Sequence, residues 1–193
     1  MKRLFDVVVA GLALFVLAVP LAVLAFAVRL GSRGPALFTQ VRVGRRGRTF
    51  RILKLRTMIH DAASFGPPVT AAGDARVTPL GRILRRYKLD ELPQLWNVFV
   101  GDMSFVGPRP EVPRFVAMYS PADRIVLDVR PGITDPASLR LRDEEDLLGR
   151  FADRERAYLE VLLPLKLELQ RDYLAHQSFV GDVALILRTL ARL

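Results

Sequence analysis

Val7 to Val28 runs without a charged residue, whereas the rest of the chain alternates short apolar sets with arginine-rich and acid-bearing turns. As one straight helix this stretch would reach roughly 33 Å, enough for a hydrocarbon core of about 30 Å. Pro20 complicates that picture, because a proline inside a helix removes a hydrogen bond and bends the chain. From Val7 to Val19 the first arm spans only about 20 Å, short of a crossing. Lys2 and Arg3 precede the stretch and Arg29 and Arg33 follow it, so the preference for positive flanks on the cytoplasmic side gives no direction of crossing. Equal flanks suit a hairpin that dips into the bilayer and returns to the same face. Two rival readings are a straight spanning helix and a secretory signal, with Ala25-Phe26-Ala27 as an A-x-A cleavage site.

Beyond a breaker cluster from Gly31 to Pro35, Val41 and Val43 alternate with Arg42, and Phe50 and Ile52 alternate with Arg51. That period of two, with Gly44-Arg45-Arg46-Gly47 between, predicts a β-hairpin. Ser64 to Gly73 has no sustained period and reads as a mobile loop. Pro79 is suited to start a helix that carries Ile83 and Leu84 inward. Glu111 to Tyr119 reads as helix and Arg130 to Thr134 as a turn. From Asp153 onward the pattern predicts helices broken at Pro164, ending in Ser178 to Leu193. There Phe179, Val183, Ile186, Leu187 and Leu190 mark an apolar face and Ser178 a cap. The acidic run Asp143 to Asp146 reads as a solvated helix start.

Between these elements lies the stretch from Leu89 to Pro110. Leu92, Leu95, Trp96 and Phe99 fall at i, i+3, i+4 and i+7, which predicts one buried helix face, with Gly101 as the stop. Asp90 and Glu91 precede Pro93 and so sit at the helix mouth, where acids also serve simply as caps and dipole partners. Pro108-Arg109-Pro110 holds an arginine in a stiff turn, a geometry suited to bidentate phosphate binding. Carboxylates facing such an arginine would repel a phosphate unless a divalent cation lay between, the usual magnesium arrangement, with Asp90 and Glu91 as its ligands. Phosphoryl chemistry follows from that combination.

Composition sharpens the division. The 193 residues suffice for one catalytic domain plus an anchor, which we set at residues 34–193 and 1–33. A 51% hydrophobic content coexists with a net charge of +9 because the two are segregated along the chain. Such charge suits anionic lipid and phosphates, with nucleic acid the other usual partner. The absence of cysteine excludes disulfides, zinc–thiolate sites and a cysteine nucleophile. His60 and His176 lack ligand spacing and read as surface residues.

The run KLDELPQLWNVFVGDMSFVGPRP, residues 88–110, resembles the signature of the bacterial sugar transferases, the monotopic polyprenyl-phosphate phosphoglycosyltransferases. The likeness extends from Lys2-Arg3-Leu4-Phe5-Asp6 through Lys54-Leu55-Arg56-Thr57-Met58 to Arg130-Pro131-Gly132-Ile133-Thr134, in the family's order. It implies an α+β fold, mostly helical with a small β-hairpin. It also implies a monotopic membrane protein whose N-terminal hydrophobic helix is re-entrant and Pro-kinked, in the small form that has a catalytic domain only. The family's kink is a Ser-Pro pair where this chain has Val19-Pro20, and its next motif carries Phe where this chain has Leu55. After Thr134 the family often has glycine; here Asp135-Pro136 follows. By the same resemblance Lys54 and Arg56 lie in or beside the active site, Arg85 and Arg109 hold phosphate, and Asp172 and Tyr173 recur near the end.

The activity implied is transfer of a sugar 1-phosphate from a nucleotide sugar, most often a UDP-sugar, to undecaprenyl or another polyprenyl phosphate. Asp90 acts as covalent nucleophile, Glu91 orients the metal or serves as base, and Mg2+ is the cofactor. Such a protein belongs at the cytoplasmic face of the bacterial inner membrane, among anionic lipids and without nucleic acid, priming exopolysaccharide, lipopolysaccharide or glycoconjugate synthesis. Two other classes compete: a non-catalytic, membrane-anchored module binding lipid or nucleic acid, and a glycosyltransferase that moves the sugar without its phosphate.

Overall fold

The computed structural model describes residues 1–65, 70 and 73–192. One helix, α1 (Lys2–Gly31), contains the whole apolar stretch with Pro20 inside it. Only Asp6, Ala10 and Val28 on α1 are buried, while Leu4, Leu12, Phe15, Val16, Val19, Val23, Phe26 and Leu30 lie bare. The helix is long and apolar enough to cross a membrane, and its row of bare large apolar side chains is the kind of surface that lipid or a partner covers.

Alternation along the next segment does produce a hairpin. Strands β1 (Leu37–Val43) and β2 (Thr49–Leu55) pair antiparallel from Leu37 opposite Leu55 to Val43 opposite Thr49. A 3-10 turn at Arg45–Gly47 joins them, with Arg46 in the left-handed region at φ 57°. Helix α2 (Pro79–Arg86) starts where proline is favoured, and the Thr78 hydroxyl accepts the Gly81 N–H at 3.0 Å. Leu84 points inward as predicted, but Ile83 is 54% exposed. Of the loop predicted at residues 64–73, residues 66–69, 71 and 72 lie outside the described residues.

Helix α3 (Gln94–Val100) ends at Gly101, whose φ of 100° terminates it as expected. Its buried face is not the predicted one. Gln94, Leu95, Asn97 and Val98 are buried, whereas Trp96 is 51% and Phe99 39% exposed. The apolar spacing was real, but Phe99 lies close against Gly11 of α1 and Trp96 packs on Phe99, ring centroids 5.9 Å apart. The face toward the hairpin is instead fastened by Asn97, whose Oδ1 accepts the Leu53 N–H at 3.0 Å and whose Nδ2 donates to the Arg51 carbonyl at 2.8 Å. Arg3 donates to the Val98 and Phe99 carbonyls and Arg130 to that of Gly101, so cations close the helix's negative end.

The segment predicted as a turn at residues 130–134 includes a strand, β4 (Gly132–Thr134), pairing parallel with β3 (Ser104–Val106). Glu111 to Tyr119 is helical only over α4 (Pro113–Val116). The remaining helices are α5 (Pro136–Arg140), α6 (Glu144–Leu148), α7 (Arg154–Ala157), α8 (Leu163–Ala175) and α9 (Phe179–Leu190). Pro164 does not break the chain's helical course. A π-turn at Tyr158–Leu162 carries α7 into α8, so Pro164 falls in a first turn, where its missing N–H costs little. Ser178 caps α9 through the Gly181 N–H at 3.1 Å, as predicted.

Three apolar clusters result. The largest joins Phe115, Tyr119, Val126, Leu148, Tyr158, Leu162 and Leu167; a second sets Ala10 of α1 against Ile52, Val98 and Met103; a third sets Val28 against Leu55 and Leu84. The anchor is therefore gripped near both its ends by the elements that carry the acids. Between β3 and β4 the backbones approach so closely that a Cβ on Gly132 would lie 2.2 Å from the Gly107 nitrogen. Gly132→Ala should lower stability by about 1–3 kcal/mol, whereas Gly149→Ala, with nothing nearer than 3.4 Å, should leave it unchanged or slightly raised. Thermal melts of both variants in detergent check this, and equal melting temperatures would contradict it.

Candidate active site

Lys88, in the left-handed region at φ 53°, turns the chain out of α2 into a single 3-10 turn at Leu89–Glu91. Leu92 and Pro93 keep helical angles, so the acids lead directly into α3. β2 supplies Lys54, whose Nζ donates to Glu91 Oε1 at 2.8 Å. Arg109, from the Pro-Arg-Pro turn, closes a two-pronged pair on the same carboxylate: Nη2 donates to Oε1 and Nη1 to Oε2, the latter at 3.3 Å. Residues 54, 91 and 109 thus meet at one carboxylate.

The arginine-bearing turn is itself held from behind. The Arg109 N–H donates to Asp135 Oδ2 at 3.1 Å, and the Asp135 carboxylate, fully buried, also accepts the Ser138 N–H at 2.6 Å and Gln170 Nε2 at 2.7 Å. Asp135 is therefore at once the cap of α5 and a brace for Arg109, although the resemblance gave it neither task. An Asp-Pro pair is a visible helix-start signal; its second duty was not visible. On the other flank Arg42 donates to the Pro110 carbonyl at 3.0 Å and to Glu111, which accepts the Tyr158 hydroxyl. These residues were not singled out by sequence either.

The two adjacent acids have opposite surroundings. Burial alone would raise Glu91, but Arg109 and Lys54 outweigh it and hold the carboxyl well below the usual carboxylate range. Burial pushes the Asp90 carboxyl above its ordinary value, with Lys54 partly offsetting the shift and Glu91 adding to it. Asp90 is only 7% exposed, and its Oδ1 has no hydrogen-bond partner among the described residues. Arg85 is among the charges acting on Asp90; its Nε donates to the Thr57 hydroxyl at 2.9 Å and its Nη1 to Glu145 at 3.0 Å. The acidic run is thus partly engaged rather than fully solvated, since Glu144 also accepts from Lys166.

Arg56 takes a different course from Lys54. Its guanidinium donates to the carbonyls of Ser32 at 2.8 Å, Val28 at 3.3 Å and Arg33, closing the end of α1 instead of facing Glu91. Tyr173 donates to Asp182 at 2.6 Å, and Lys2 pairs with the same aspartate at 2.5 Å, so the recurring tyrosine ties α8 and α9 to the anchor's start. His60 and His176 are both more than half exposed. Among the described residues no three His, Cys, Asp or Glu side chains converge as a metal cage. A magnesium ion needs no such cage when it shares one or two carboxylates with substrate phosphates, and the unpartnered oxygen of Asp90 fits that donor set.

Sequence comparison covers the chain from end to end, the elements that carry these side chains included. The pattern of the family described as bacterial sugar transferase covers residues 1–193. The chain belongs to the bacterial sugar transferase family. It is 41% identical over its whole length to a UDP-glucose:undecaprenyl-phosphate glucose-1-phosphate transferase of Caulobacter vibrioides, of which it spans 69%. It is 36% identical over 99% of its length to an undecaprenyl-phosphate glucose phosphotransferase of Komagataeibacter xylinus, spanning 35% of that protein. To a UDP-N-acetylgalactosamine-undecaprenyl-phosphate N-acetylgalactosaminephosphotransferase of Aeromonas hydrophila it is 34% identical over 98% of its length, spanning 42% of that relative.

Since folding favours ionised Glu91, its contribution to stability is complete above its ordinary value of 4.5 and is lost as the pH falls below that toward its lowered folded-state value. Glu91→Gln should cost about 2–3 kcal/mol at pH 7, less than a fully buried pair because Lys54 and Arg109 keep some contact with solvent. The gap from wild type should narrow as the pH drops below 4.5. Melts from pH 7 to pH 3 in detergent check the sign; a gap that widened toward low pH would contradict it.

Proposed function

We propose that the protein transfers a sugar 1-phosphate from a UDP-sugar to undecaprenyl phosphate, through a covalent intermediate on Asp90, to prime a lipid-linked surface glycan. The observation that carries this reading is a buried aspartate with an unpartnered oxygen, acted on by the cations Lys54, Arg85 and Lys88 and adjacent in sequence to the Glu91 that Lys54 and Arg109 hold. The relatives' names supply the donor and acceptor classes.

Lys54, Arg85 and Arg109 draw the donor diphosphate in and hold its oxygens, with Arg109 offering a planar two-pronged face. An Asp90 oxygen attacks the sugar-bearing phosphorus; the bond from that phosphorus to the bridging oxygen breaks, and UMP leaves with the electron pair. An oxygen of undecaprenyl phosphate then attacks the same phosphorus and the aspartyl oxygen departs, restoring Asp90 and leaving an undecaprenyl diphosphosugar. Bound magnesium, held by Asp90 and the donor phosphates, would neutralise charge at the diphosphate. Glu91 keeps Lys54 and Arg109 aimed across the entrance until phosphate arrives.

The acceptor phosphate sits at headgroup depth, and the anchor brings the acids to that level. In this reading α1 bends at Pro20, enters the cytoplasmic leaflet of the bacterial inner membrane and returns, keeping both its basic flanks on the cytoplasmic side. Arg29 and Arg33 line a hollow of about 560 Å3 with Gly34 and Pro35 at the end of α1, where anionic headgroups would be met.

Two tests follow. Incubation with a panel of UDP-sugars, magnesium and undecaprenyl phosphate should release UMP, and Asp90→Asn should cut that release by at least about a thousandfold. Release of UDP instead would indicate sugar transfer without phosphate, no nucleotide release would leave only a binding module, and wild-type turnover by Asp90→Asn would remove the nucleophile. Separately, single cysteines replacing Leu4 and Gly31, both exposed, should escape an impermeant thiol reagent applied outside intact cells; labelling of one alone would mean that α1 spans the membrane.

A further inference from the structure

The first residue of α3, Gln94, is fully buried, and neither the oxygen nor the nitrogen of its carboxamide has a hydrogen-bond partner among the described residues. A carboxamide offers two donors and an acceptor with two lone pairs, so burying it idle is costly, while leucine or methionine would fill the same volume without that cost. Such an expense in an otherwise well-paired strip of the molecule calls for a use.

Its position supplies one. Glu91 lies three residues before Gln94 and Asn97 three residues after, on a helical course that runs through Leu92 and Pro93. Asn97 is bonded to β2 at Arg51 and Leu53, and Glu91 is bonded to β2 at Lys54. Residues three apart share a helix face, so Gln94 lies between those two fastenings, one helical turn past the acid pair. Asp90, four residues before Gln94, likewise has an oxygen, Oδ1, with no partner among the described residues.

Both cations that hold Glu91, Lys54 and Arg109, are the ones a diphosphate would compete for. When phosphate takes them, two neighbouring carboxylates in a poorly hydrated place lose their donors and repel each other. A neutral donor fixed behind them would keep them aligned without cancelling the charge that Asp90 needs. We infer that Gln94 is a positioning residue whose carboxamide N–H groups hold the Asp90–Glu91 carboxylates once donor phosphates have drawn Lys54 and Arg109 away from Glu91. This role rests on the phosphosugar transfer proposed above.

The test compares the purified full chain with Gln94→Met and Gln94→Asn, using the UDP-sugar that the wild type turns over, magnesium and undecaprenyl phosphate, alongside melts without substrate. Gln94→Met should melt at or above the wild-type temperature yet lose about 10- to 100-fold in kcat, with KM for the UDP-sugar unchanged. Gln94→Asn keeps an amide but leaves a gap, so it should melt lower and still turn over faster than Gln94→Met. Rate and stability thus move in opposite directions, which a purely structural glutamine would not produce. Wild-type kcat in Gln94→Met, or rates in both variants that merely follow their melting temperatures, would overturn the role while leaving phosphosugar transfer intact. A wild type that releases no UMP from any UDP-sugar would overturn both.

Discussion

A single carboxylate caught between two cations from distant parts of the chain is the constraint on which this structure turns. Glu91 accepts from Lys54 on the hairpin and from Arg109 on the Pro-Arg-Pro turn, and neither partner lies near it in sequence. Burying three charges is unfavourable unless each finds its counterpart with good geometry. Much of the surrounding architecture serves that end. Asn97 fastens α3 to β2, the Gly107–Gly132 approach lets β3 and β4 pair, and Asp135 fixes the backbone of Arg109 from below. With these in place, Lys54 and Arg109 meet at Glu91, the residue next to Asp90.

In the proposed transfer the neighbouring acids divide the work because their environments differ. Glu91 is held ionised by Lys54 and Arg109, whereas Asp90 is buried, acted on by Lys54, Arg85 and Lys88, with one oxygen uncommitted. Pushing the properties of paired carboxyls apart is how one fold obtains two roles from similar groups. The anchor enters at this level as well, since α1 packs through Ala10 on Val98 and through Val28 on Leu55 and Leu84. With α1 placed in a bilayer, as proposed, its depth and the height of Asp90 are coupled through the small contacts of Ala10 and Gly11 with α3.

Much of this was legible in the residues. The alternation of Val41, Val43, Phe50 and Ile52 predicted the hairpin, Gly101 and Ser178 marked helix ends, and Asp90, Glu91 and Arg109 stood out by their proline-framed settings. Trp96 and Phe99 were misassigned because apolar spacing is the same whether a helix faces a core, an anchor or lipid, while the buried positions of α3 include two amides that such a pattern skips. β3 and β4 escaped notice because three-residue strands 28 positions apart leave no local period. Asp135 was legible as a helix start, but its bond to Arg109 depends on a tertiary contact. Arg56 shares a motif with Lys54 yet falls just past the end of β2, where its guanidinium turns to the last carbonyls of α1.

The central claim is that Asp90 takes up the phosphosugar before the lipid does. It is tested most directly by intact-mass and peptide analysis of protein incubated with a turned-over UDP-sugar and magnesium in the absence of undecaprenyl phosphate. The account predicts a mass increase equal to one sugar phosphate, mapped to Asp90 and discharged on addition of undecaprenyl phosphate. An unmodified protein under conditions where lipid product still forms, or an adduct on another residue, would contradict it.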